Sequence, residues 1–355
     1  MAHIDSCQFF GLENQLYTFN QERMEYANQQ KLYHLEVELT NKCAAGCAYC
    51  IYGCTTKDDL FLERGVLAKV IDEAASIGVK EIYLGGGDPI LHPDWHDIAG
   101  QAMSQGIGIT LWTGGVLPKK VIQQIMKLDN ERLICVGIHI DSVNQEDYNQ
   151  VNFYPNTLAL KMESYRSLLG AGFSLEKVMP TLTLTRPTMS HIEETIDWFI
   201  DEMGAKQIIL CPFKPSGFKT EDRKFEPSLT DIRRAHEYLA KKLGKGWLML
   251  GDTPIGTYFC RTNMALMVNG DLAPCGCFYP EHKIGNVYEG TLREAFEPNR
   301  ELVSFSFNIK GKCGECENNP HCIGCRGNAY MFLGDYQASD PRCWLNPEAK
   351  EYYLQ

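Results

Sequence analysis

Apolar and polar residues follow strand-like and helix-like patterns in turn along the first two-thirds of the chain. Leu35–Leu39 alternates as a strand does, and from Leu60 to Ile77 apolar residues recur with helical spacing, up to Gly78. Five further strands and four further helices are predicted in the same way. The strands are 81–84, 107–112, 132–140, 177–185 and 207–210, and the helices are 95–104, 119–128, 158–169 and 192–203.

Six strands that alternate with helices predict an α/β fold with a parallel sheet and helices outside it. The sheet is either a curved partial barrel or an open doubly wound sheet, and the periodicity does not separate these two. In both folds, ligands bind at the C-terminal ends of the parallel strands. We therefore expect the functional residues in the segments that directly follow the strands.

Three closely spaced cysteines follow the first strand. Cys43, Cys47 and Cys50 are separated by three and then by two residues. Three thiolates on one short loop can hold three irons of a 4Fe-4S cluster and leave the fourth iron without a protein ligand. A zinc site is the alternative, because Cys54 offers a fourth thiol, although structural zinc usually binds two close pairs of ligands.

This CxxxCxxC loop, with Tyr49 directly before the last cysteine, resembles the signature of the radical S-adenosylmethionine (radical SAM) enzymes. The resemblance implies that the open iron binds the amino and carboxylate groups of S-adenosylmethionine (SAM). It also implies that an electron from the cluster cleaves SAM to a 5'-deoxyadenosyl radical, with Tyr49 beside the adenine. Among the two folds, the resemblance favours the partial (β/α)6 TIM-like barrel.

A glycine-rich segment follows the second strand. It consists of Gly85, Gly86, Gly87, Asp88 and Pro89, and missing side chains let backbone groups come close to a ligand. Such a segment alone is more often just a tight turn. Placed one strand after the cysteine loop, it resembles the family's GGEP motif, which implies contact with the SAM amino group. Asp88 stands where glutamate is usual, so its carboxylate is one methylene shorter.

Three later strand ends supply further candidate residues. Thr113 begins a segment similar to the family's TNG-like turn beside SAM, and His139 and Asp141 lie in a segment that resembles the family's Ser-x-Asp near the SAM ribose. His139 replaces the commoner serine, and a lone histidine on a strand is more often a hydrogen-bonded core residue. Arg186 could pair with the SAM carboxylate through its guanidinium, with a surface salt bridge as the equal alternative.

Eight of the fifteen cysteines lie after Gly251 and show definite spacing. Paired CxxC elements are also zinc ligands, so zinc knuckles are an alternative here. The spacing, with the local sequences Cys325-Arg326, Gly334-Asp335 and Asp340-Pro341, resembles the SPASM extension of radical SAM enzymes. That resemblance implies two auxiliary 4Fe-4S clusters. The first would use Cys260, Cys275 and Cys325, and the second would use Cys313, Cys316, Cys322 and Cys343.

The resemblance gives the first auxiliary cluster only three of the four cysteine ligands that a fully ligated 4Fe-4S cluster has. Either Cys277 supplies the fourth bond, or one iron of that cluster is open and could bind a substrate. The aromatic and charged residues that flank these ligands are candidates for mutation, although packing or solvated roles are more common for such residues. These flanking residues are Tyr258, Tyr279, Glu281 and His282. The four scattered cysteines Cys7, Cys54, Cys135 and Cys211 are expected to be ordinary buried thiols.

Composition narrows the class of protein. The 355 residues are 44% hydrophobic, which is enough for one large domain and a smaller one, and the net charge of -11 argues against a nucleic-acid or anionic-membrane surface. No apolar run approaches the ~20 residues that cross a bilayer, and residues 1–10 do not form a signal peptide. We expect a cytoplasmic protein whose cysteines bind metal rather than form disulfides.

Domain boundaries are predicted from the same features. A polar loop is expected from Lys214 to Glu226 and a helix from Leu229 to Leu243, after which cysteine becomes frequent. The expected parts are a lead-in at 1–34, the barrel at 35–225, a bridging helix at 226–250 and the SPASM domain at 251–355.

The resemblance covers the chain from about Leu35 onward and implies an enzyme that abstracts a substrate hydrogen with the 5'-deoxyadenosyl radical. Auxiliary clusters would aid oxidation or bond formation, and flavodoxin or ferredoxin would donate electrons. Peptide or protein maturation is the favoured role, and a sugar, aminoglycoside or tetrapyrrole substrate is the alternative. A non-catalytic iron-sulfur protein and a zinc-binding interaction protein are the remote alternatives.

Overall fold

The protein is described by a computed structural model. The structure describes residues 21–128, 131–215, 223–244, 258–319 and 321–346. Cys7 and most of the predicted lead-in lie outside the described residues, as do parts of the predicted loop after Lys214 and of the predicted bridging segment.

In the described part of the chain, nine strands form one sheet. They are β1 His34–Thr40, β2 Glu81–Gly86, β3 Gly108–Thr113, β4 Leu133–His139, β5 Val178–Leu184, β6 Ile209–Pro212, β7 Asn263–Leu266, β8 Asp271–Ala273 and β9 Gly285–Asn286. Their order in the sheet is β6-β5-β4-β3-β2-β1-β7-β8-β9. Strands β1 to β7 pair in parallel, whereas β8 and β9 are antiparallel. The first and last strands of this order do not pair, so the sheet is an unclosed partial barrel, as predicted.

Twelve α-helices are found within the described ranges. They are α1 Gln21–Asn28, α2 Arg64–Ser76, α3 Trp95–Ser104, α4 Lys119–Ile125, α5 Gln145–Val151, α6 Thr157–Gly170, α7 Ile192–Asp197, α8 Leu229–Leu243, α9 Leu292–Phe296, α10 Arg300–Val303, α11 Gly311–Gly314 and α12 Arg326–Leu333. The apolar faces of α2, α3, α4, α6 and α7 pack on the outside of the sheet and form the main core.

A second apolar cluster lies on the opposite face of the sheet. Tyr83, Cys135, Met179 and Ile209 pack together there, with Trp112 against them. Because successive side chains of a strand point to opposite faces, this cluster identifies the residues that face the barrel interior.

Two predicted helices differ in detail from the observed ones. The helix expected from Leu60 begins at Arg64, because Leu62 donates its N–H to the Leu39 carbonyl at 3.0 Å and the segment extends along the end of β1. The helix expected at 192–203 ends as α7 at Asp197 and continues as the π-helical turn Trp198–Glu202. Helices α1, α5 and α9 to α12 and strands β7 to β9 were not predicted.

Candidate metal centre and cofactor site

The three-cysteine loop leaves the end of β1 and is held from one side by the segment after α5. Asn152 donates its side-chain amide to the Ala45 carbonyl at 2.7 Å, and Phe153 donates its N–H to the Gly46 carbonyl at 2.8 Å. Gly46 has a φ of +76°, and a Cβ there would lie 2.5 Å from a Tyr154 ring atom. The loop therefore requires glycine at this position, and its backbone path is fixed by α5.

Cys43, Cys47 and Cys50 are all half-buried on this loop. Burial, and next the charge of Asp88, raise the pKa of Cys43 to about 12. A thiolate at such a buried place needs a positive partner. A bound metal supplies this positive charge and displaces the thiol proton. Cys54, which is also half-buried, forms a side-chain hydrogen bond with Cys50.

The spacing of the sulfur atoms argues against a single zinc ion. Among the residues that the structure describes, the one set of three or more ligand atoms within 4.8 Å of each other belongs to Cys47, His139 and Asp141. Around one zinc ion, with Zn–S bonds of ~2.3 Å, the sulfurs of a cysteine site would lie roughly 3.8 Å apart. No three cysteine sulfurs of the described residues lie within 4.8 Å of one another, so the cysteine sets are not preformed as compact zinc sites.

The glycine-rich segment at the end of β2 is attached directly to the cysteine loop. Gly87 donates its N–H to the Thr40 carbonyl at 2.6 Å, and Asp88 donates to the Lys42 carbonyl at 2.8 Å. A Cβ on Gly87 would lie 2.3 Å from the Lys42 oxygen, whereas a Cβ on Gly85 would meet no atom within 4 Å. The close approach of two backbones explains why this turn is built from glycine.

Asp88 is buried and presents a carboxylate oxygen for which the described residues supply no hydrogen bond of ordinary geometry. Its Oδ2 accepts the Gly114 N–H at 3.0 Å and the Ile90 N–H also acts on the carboxylate, whereas the buried Oδ1 has no hydrogen bond of ordinary geometry with a described residue. Burial raises the pKa of Asp88 to about 6. An acceptor of this kind, beside the cysteine loop, fits a ligand that carries an ammonium group. Pro89 is also buried and begins a short 3-10 turn.

Tyr49, His139 and Asp141 form one hydrogen-bonded group. The Tyr49 hydroxyl donates to Asp141 Oδ2 at 2.5 Å, and His139 Nε2 lies 2.8 Å from Asp141 Oδ1. His139 Nδ1 lies 3.6 Å from the Cys47 sulfur. Burial lowers the pKa of His139, but the charges of Asp141 and Cys47 outweigh it and raise the pKa to about 10. Asp141 also accepts the Thr183 N–H at 2.9 Å, so its carboxylate is engaged within the protein.

Thr113 and Arg186 both take part in local backbone contacts. The Thr113 hydroxyl accepts the Gly115 N–H at 2.9 Å and shapes the turn after β3. Arg186 is exposed, and its guanidinium donates to the carbonyls of Glu226 at 3.0 Å and Arg223 at 3.5 Å. The structure thus gives Arg186 a role in holding the segment before α8, and its pairing with the SAM carboxylate stays a prediction.

Lys161 is a site residue that the sequence analysis missed. It lies on α6, is completely buried, and its Nζ has no hydrogen bond of ordinary geometry to a described residue. Nζ lies 5.5 Å from the centre of the Tyr148 ring. Burial lowers the pKa of Lys161, but the charges of Cys47, then Tyr148 and Asp141, outweigh it and raise the pKa. The signal was present in the sequence, because a lysine interrupts the apolar face of α6.

The second predicted set of auxiliary ligands surrounds one pocket. Its lining includes Cys313, Cys316, Cys322 and Cys343 together with the side chains of Asn318 and Asn346. The Asp340 N–H lies 3.3 Å from the Cys313 sulfur, and the Asn318 amide lies 3.8 Å from the Cys316 sulfur. Hydrogen bonds to sulfur are the usual means of tuning a cluster potential, so the donor set fits an iron-sulfur cluster.

The first auxiliary set also converges, and it includes Cys277. The thiols of Cys275 and Cys277 hydrogen-bond to each other, and Cys260 acts electrostatically on Cys275. A Cβ on Gly327 would lie 3.4 Å from the Cys277 sulfur and 3.6 Å from the Cys325 sulfur. These two sulfurs therefore flank the same glycine, which brings four cysteines to one place.

The residues that flank these ligands are engaged in packing and hydrogen bonds. Tyr258 bonds to His321 at 2.7 Å, Tyr279 donates to Asp271 at 3.0 Å, and His282 packs against the Tyr330 ring. Of the cysteines expected to be buried, Cys135 lies under the barrel interior. The expectation for Cys211 is wrong, because this residue is exposed on the short edge strand β6.

Comparisons with known proteins agree with this geometry. Residues 37–199 match the family model described as the Radical SAM superfamily. The chain is 27% identical to the AdoMet-dependent heme synthase of Methanosarcina barkeri, over 88% of this chain and 96% of that protein. It is 24% identical to the PqqA peptide cyclase of Ruegeria pomeroyi, over 88% of this chain and 87% of that protein.

The fold is similar to that of SuiB from Streptococcus suis. The structure of SuiB bound to S-adenosylmethionine superposes with a TM-score of 0.67 at 18% identity, over 89% of this chain and 78% of that chain. The structure of SuiB bound to its precursor peptide SuiA gives a TM-score of 0.68 at 17% identity, over 91% and 79%. Within the described residues, no helix is both long and apolar enough to span a membrane.

Proposed function

We propose that this enzyme, whose residues 37–199 match the Radical SAM superfamily, cleaves SAM reductively and uses the resulting radical to abstract hydrogen from a peptide or protein substrate. The radical SAM domain implies a 4Fe-4S cluster together with SAM. When bound, the cluster supplies the electron that breaks a carbon–sulfur bond of SAM and yields the 5'-deoxyadenosyl radical. The observation that carries the proposal is the convergence of Asp88, at the end of β2, and Lys161, on α6, beside the cysteine loop.

Each part of this site has a role in the proposal. Cys43, Cys47 and Cys50 hold three irons. The free Oδ1 of Asp88 accepts the SAM ammonium, and the buried Nζ of Lys161 offers the matching cation for the SAM carboxylate. A buried charge without a partner is costly, so both groups gain from a zwitterionic ligand between them.

The peptide class of substrate is supported by two comparisons. The PqqA peptide cyclases match 87–88% of this chain, and the SuiB fold has been seen with a precursor peptide. A tetrapyrrole is the second candidate, because the heme synthase has the higher identity, 27%, and 96% of its length is covered. Both candidates use the same radical chemistry, so they differ only in what occupies the barrel interior.

The SPASM-type auxiliary clusters and the electron donor belong to the proposal as well. Two auxiliary 4Fe-4S clusters are supported by four cysteines around one pocket, by Cys277 and Cys325 beside Gly327, and by the contacts of Cys275 with Cys277 and Cys260. These clusters would accept an electron from the substrate radical. A flavodoxin or ferredoxin would deliver the first electron, and the cytoplasm would keep the thiols reduced.

Anaerobic reconstitution with iron and sulfide tests this function. With SAM and a strong reductant, we expect the wild-type protein to release 5'-deoxyadenosine, because the open iron binds SAM. The triple variant Cys43→Ala, Cys47→Ala, Cys50→Ala keeps the auxiliary cysteines, and we expect it to release none. A fully metallated wild-type protein that leaves SAM intact would overturn the proposal.

A further inference from the structure

Two glutamates of β1 point into the barrel interior rather than into the surrounding core. Glu36 pairs in register with Tyr83, a member of the interior cluster, and Glu38 lies two residues further along the same face. Glu36 is only partly buried, whereas Glu38 is 6% exposed. Both side chains therefore lie on the interior face of β1, in the strand that leads into the cysteine loop.

The surroundings of these glutamates are rich in hydrogen-bond acceptors and short of donors. Glu36 Oε1 accepts the Tyr52 hydroxyl at 3.2 Å, and the Asn263 side chain also bonds to Glu36. Glu38 Oε2 accepts the Val268 N–H at 3.2 Å. In the described part of the chain, Glu38 Oε1 and the Oδ1 of Asn263 are buried without a hydrogen-bond partner. Asn263 is 2% exposed, so solvent does not satisfy this oxygen.

The charges are also unbalanced. Lys214 is the cation that acts on Glu36, while Glu36 and Glu38 repel each other. Burial is the main cause that raises the pKa of Glu38 to about 8, and the nearby charges of Glu36 and Cys50 add to it. A cation bound beside Glu38 would favour its ionised form.

The position of this group connects it to both cluster sites. Glu38 acts electrostatically on Cys50, and Tyr52 follows Cys50 by two residues. A Cβ on Gly276, which lies between Cys275 and Cys277, would be 2.9 Å from the Tyr52 hydroxyl oxygen. A substrate group bound to Glu36 would thus lie between the radical-generating cluster and the first auxiliary cluster.

We propose that Glu36, Glu38 and Asn263 form an acceptor pocket that binds the cationic side chain of a substrate, a lysine ammonium or an arginine guanidinium. The inference rests on the proposed peptide-modifying function and names its substrate class. Two acidic side chains at this place oppose a substrate that enters with its own carboxylate, such as a tetrapyrrole propionate. The pocket is therefore a specificity determinant, separate from the residues that hold SAM.

Binding of three small probes to the reconstituted, SAM-loaded full chain tests the proposal. The probes are N-acetyl-lysine amide, N-acetyl-norleucine amide, which lacks only the terminal ammonium, and N-acetyl-glutamate amide. We expect the lysine probe to bind at least about tenfold more tightly than the norleucine probe, because a charged donor meets buried acceptors. Equilibrium dialysis under anaerobic conditions measures the three dissociation constants.

The variant Glu36→Gln keeps the size of the side chain and its contacts with Tyr52 and Asn263. We expect it to reduce the lysine preference to less than about threefold and to leave norleucine binding unchanged. Glu194→Gln, on the surface helix α7, is the matched control and should keep the full preference. Iron content confirms that each variant is folded and loaded.

Equal binding of the lysine and norleucine probes to the wild type would overturn the proposal, and so would a preference for the glutamate probe. Absence of binding of any probe at 10 mM, roughly the limit at which a one-contact ligand is detected, would also overturn it. SAM cleavage is measured on the same samples. Cleavage without a cation preference would refute this inference alone, whereas absence of cleavage would refute the proposed function.

Discussion

At the scale of single residues, the least expected feature is a completely buried lysine beside the three-cysteine loop. Lys161 lies close to Cys47, Tyr148 and Asp141, yet its Nζ forms no hydrogen bond of ordinary geometry with a described residue. A fully buried ammonium is costly unless it is paired. Its position is explained if a ligand carboxylate completes the pairing.

The variant Lys161→Met tests this explanation. We expect its dissociation constant for SAM to rise about 10- to 100-fold, since a charge-assisted hydrogen bond contributes about 1.5–3 kcal/mol. Decarboxylated SAM lacks the proposed partner, so its affinity should change by less than about threefold between wild type and variant. Isothermal titration of the reconstituted, unreduced protein measures both ligands.

Arg186→Met is the matched control for this prediction. Arg186 bonds to the Glu226 carbonyl, so we expect its loss to leave the preference for SAM over decarboxylated SAM intact. If Arg186→Met abolished that preference while Lys161→Met kept it, the assignment of the carboxylate to Lys161 would be wrong. Folding of Lys161→Met is expected, because replacing a buried charge by an apolar side chain of similar size is often neutral.

At the scale of elements, the turn after β2 is a contact between two backbones. Gly87→Ala would place a methyl group 2.3 Å from the Lys42 carbonyl oxygen. We expect it to displace the cysteine loop, lower the free energy of unfolding by about 2 kcal/mol or more and reduce the iron bound to the loop. Thermal denaturation and iron determination after reconstitution measure the two effects.

Gly85→Ala is the control within the same turn. Its Cβ would meet no atom within 4 Å, so we expect a change in unfolding free energy within about 0.5 kcal/mol and unaltered iron content. Equal damage from both substitutions would mean that the backbone contact with Lys42 does not determine the glycine requirement. The comparison separates a steric cause from a general loss of glycine flexibility.

The elements of the barrel could largely be predicted, because each has a strong local pattern. Six strands were found where alternation placed them, and for α2 the main error was the predicted start, which was four residues too early. Helix α5 was missed because Gln145–Val151 is polar and short, and its clearest signal is the N-cap Asn144, which accepts the Glu146 N–H at 3.0 Å. Helix α5 matters through its tertiary contacts, since the residues that follow it hold the cysteine loop.

At the scale of the whole molecule, the sheet continues past the predicted barrel. Strand β7 pairs in parallel with β1, and β8 and β9 extend it. These strands are only two to four residues long, so period-two patterns could not reveal them. Their pairing matters, because it brings Asn263 beside Glu36 and places Cys275 and Cys277 near Tyr52. Cysteine spacing identified candidate ligands, but not the contacts between the two parts of the chain.

The last prediction concerns the number of irons that the molecule holds. With three 4Fe-4S clusters, the reconstituted wild type should bind about 12 irons. Cys277 and Cys325 flank Gly327, so we expect Cys277→Ala to remove one ligand of the first auxiliary cluster and to leave roughly 8 to 11 irons. Cys135→Ala, at a buried thiol away from these sets, is the control and should retain the wild-type count.

If Cys277→Ala also kept every iron and an unchanged electron paramagnetic resonance spectrum on reduction, Cys277 would not be a ligand. That cluster would then have an open iron. Direct substrate binding would be expected at this iron rather than in the acceptor pocket of Glu36, Glu38 and Asn263.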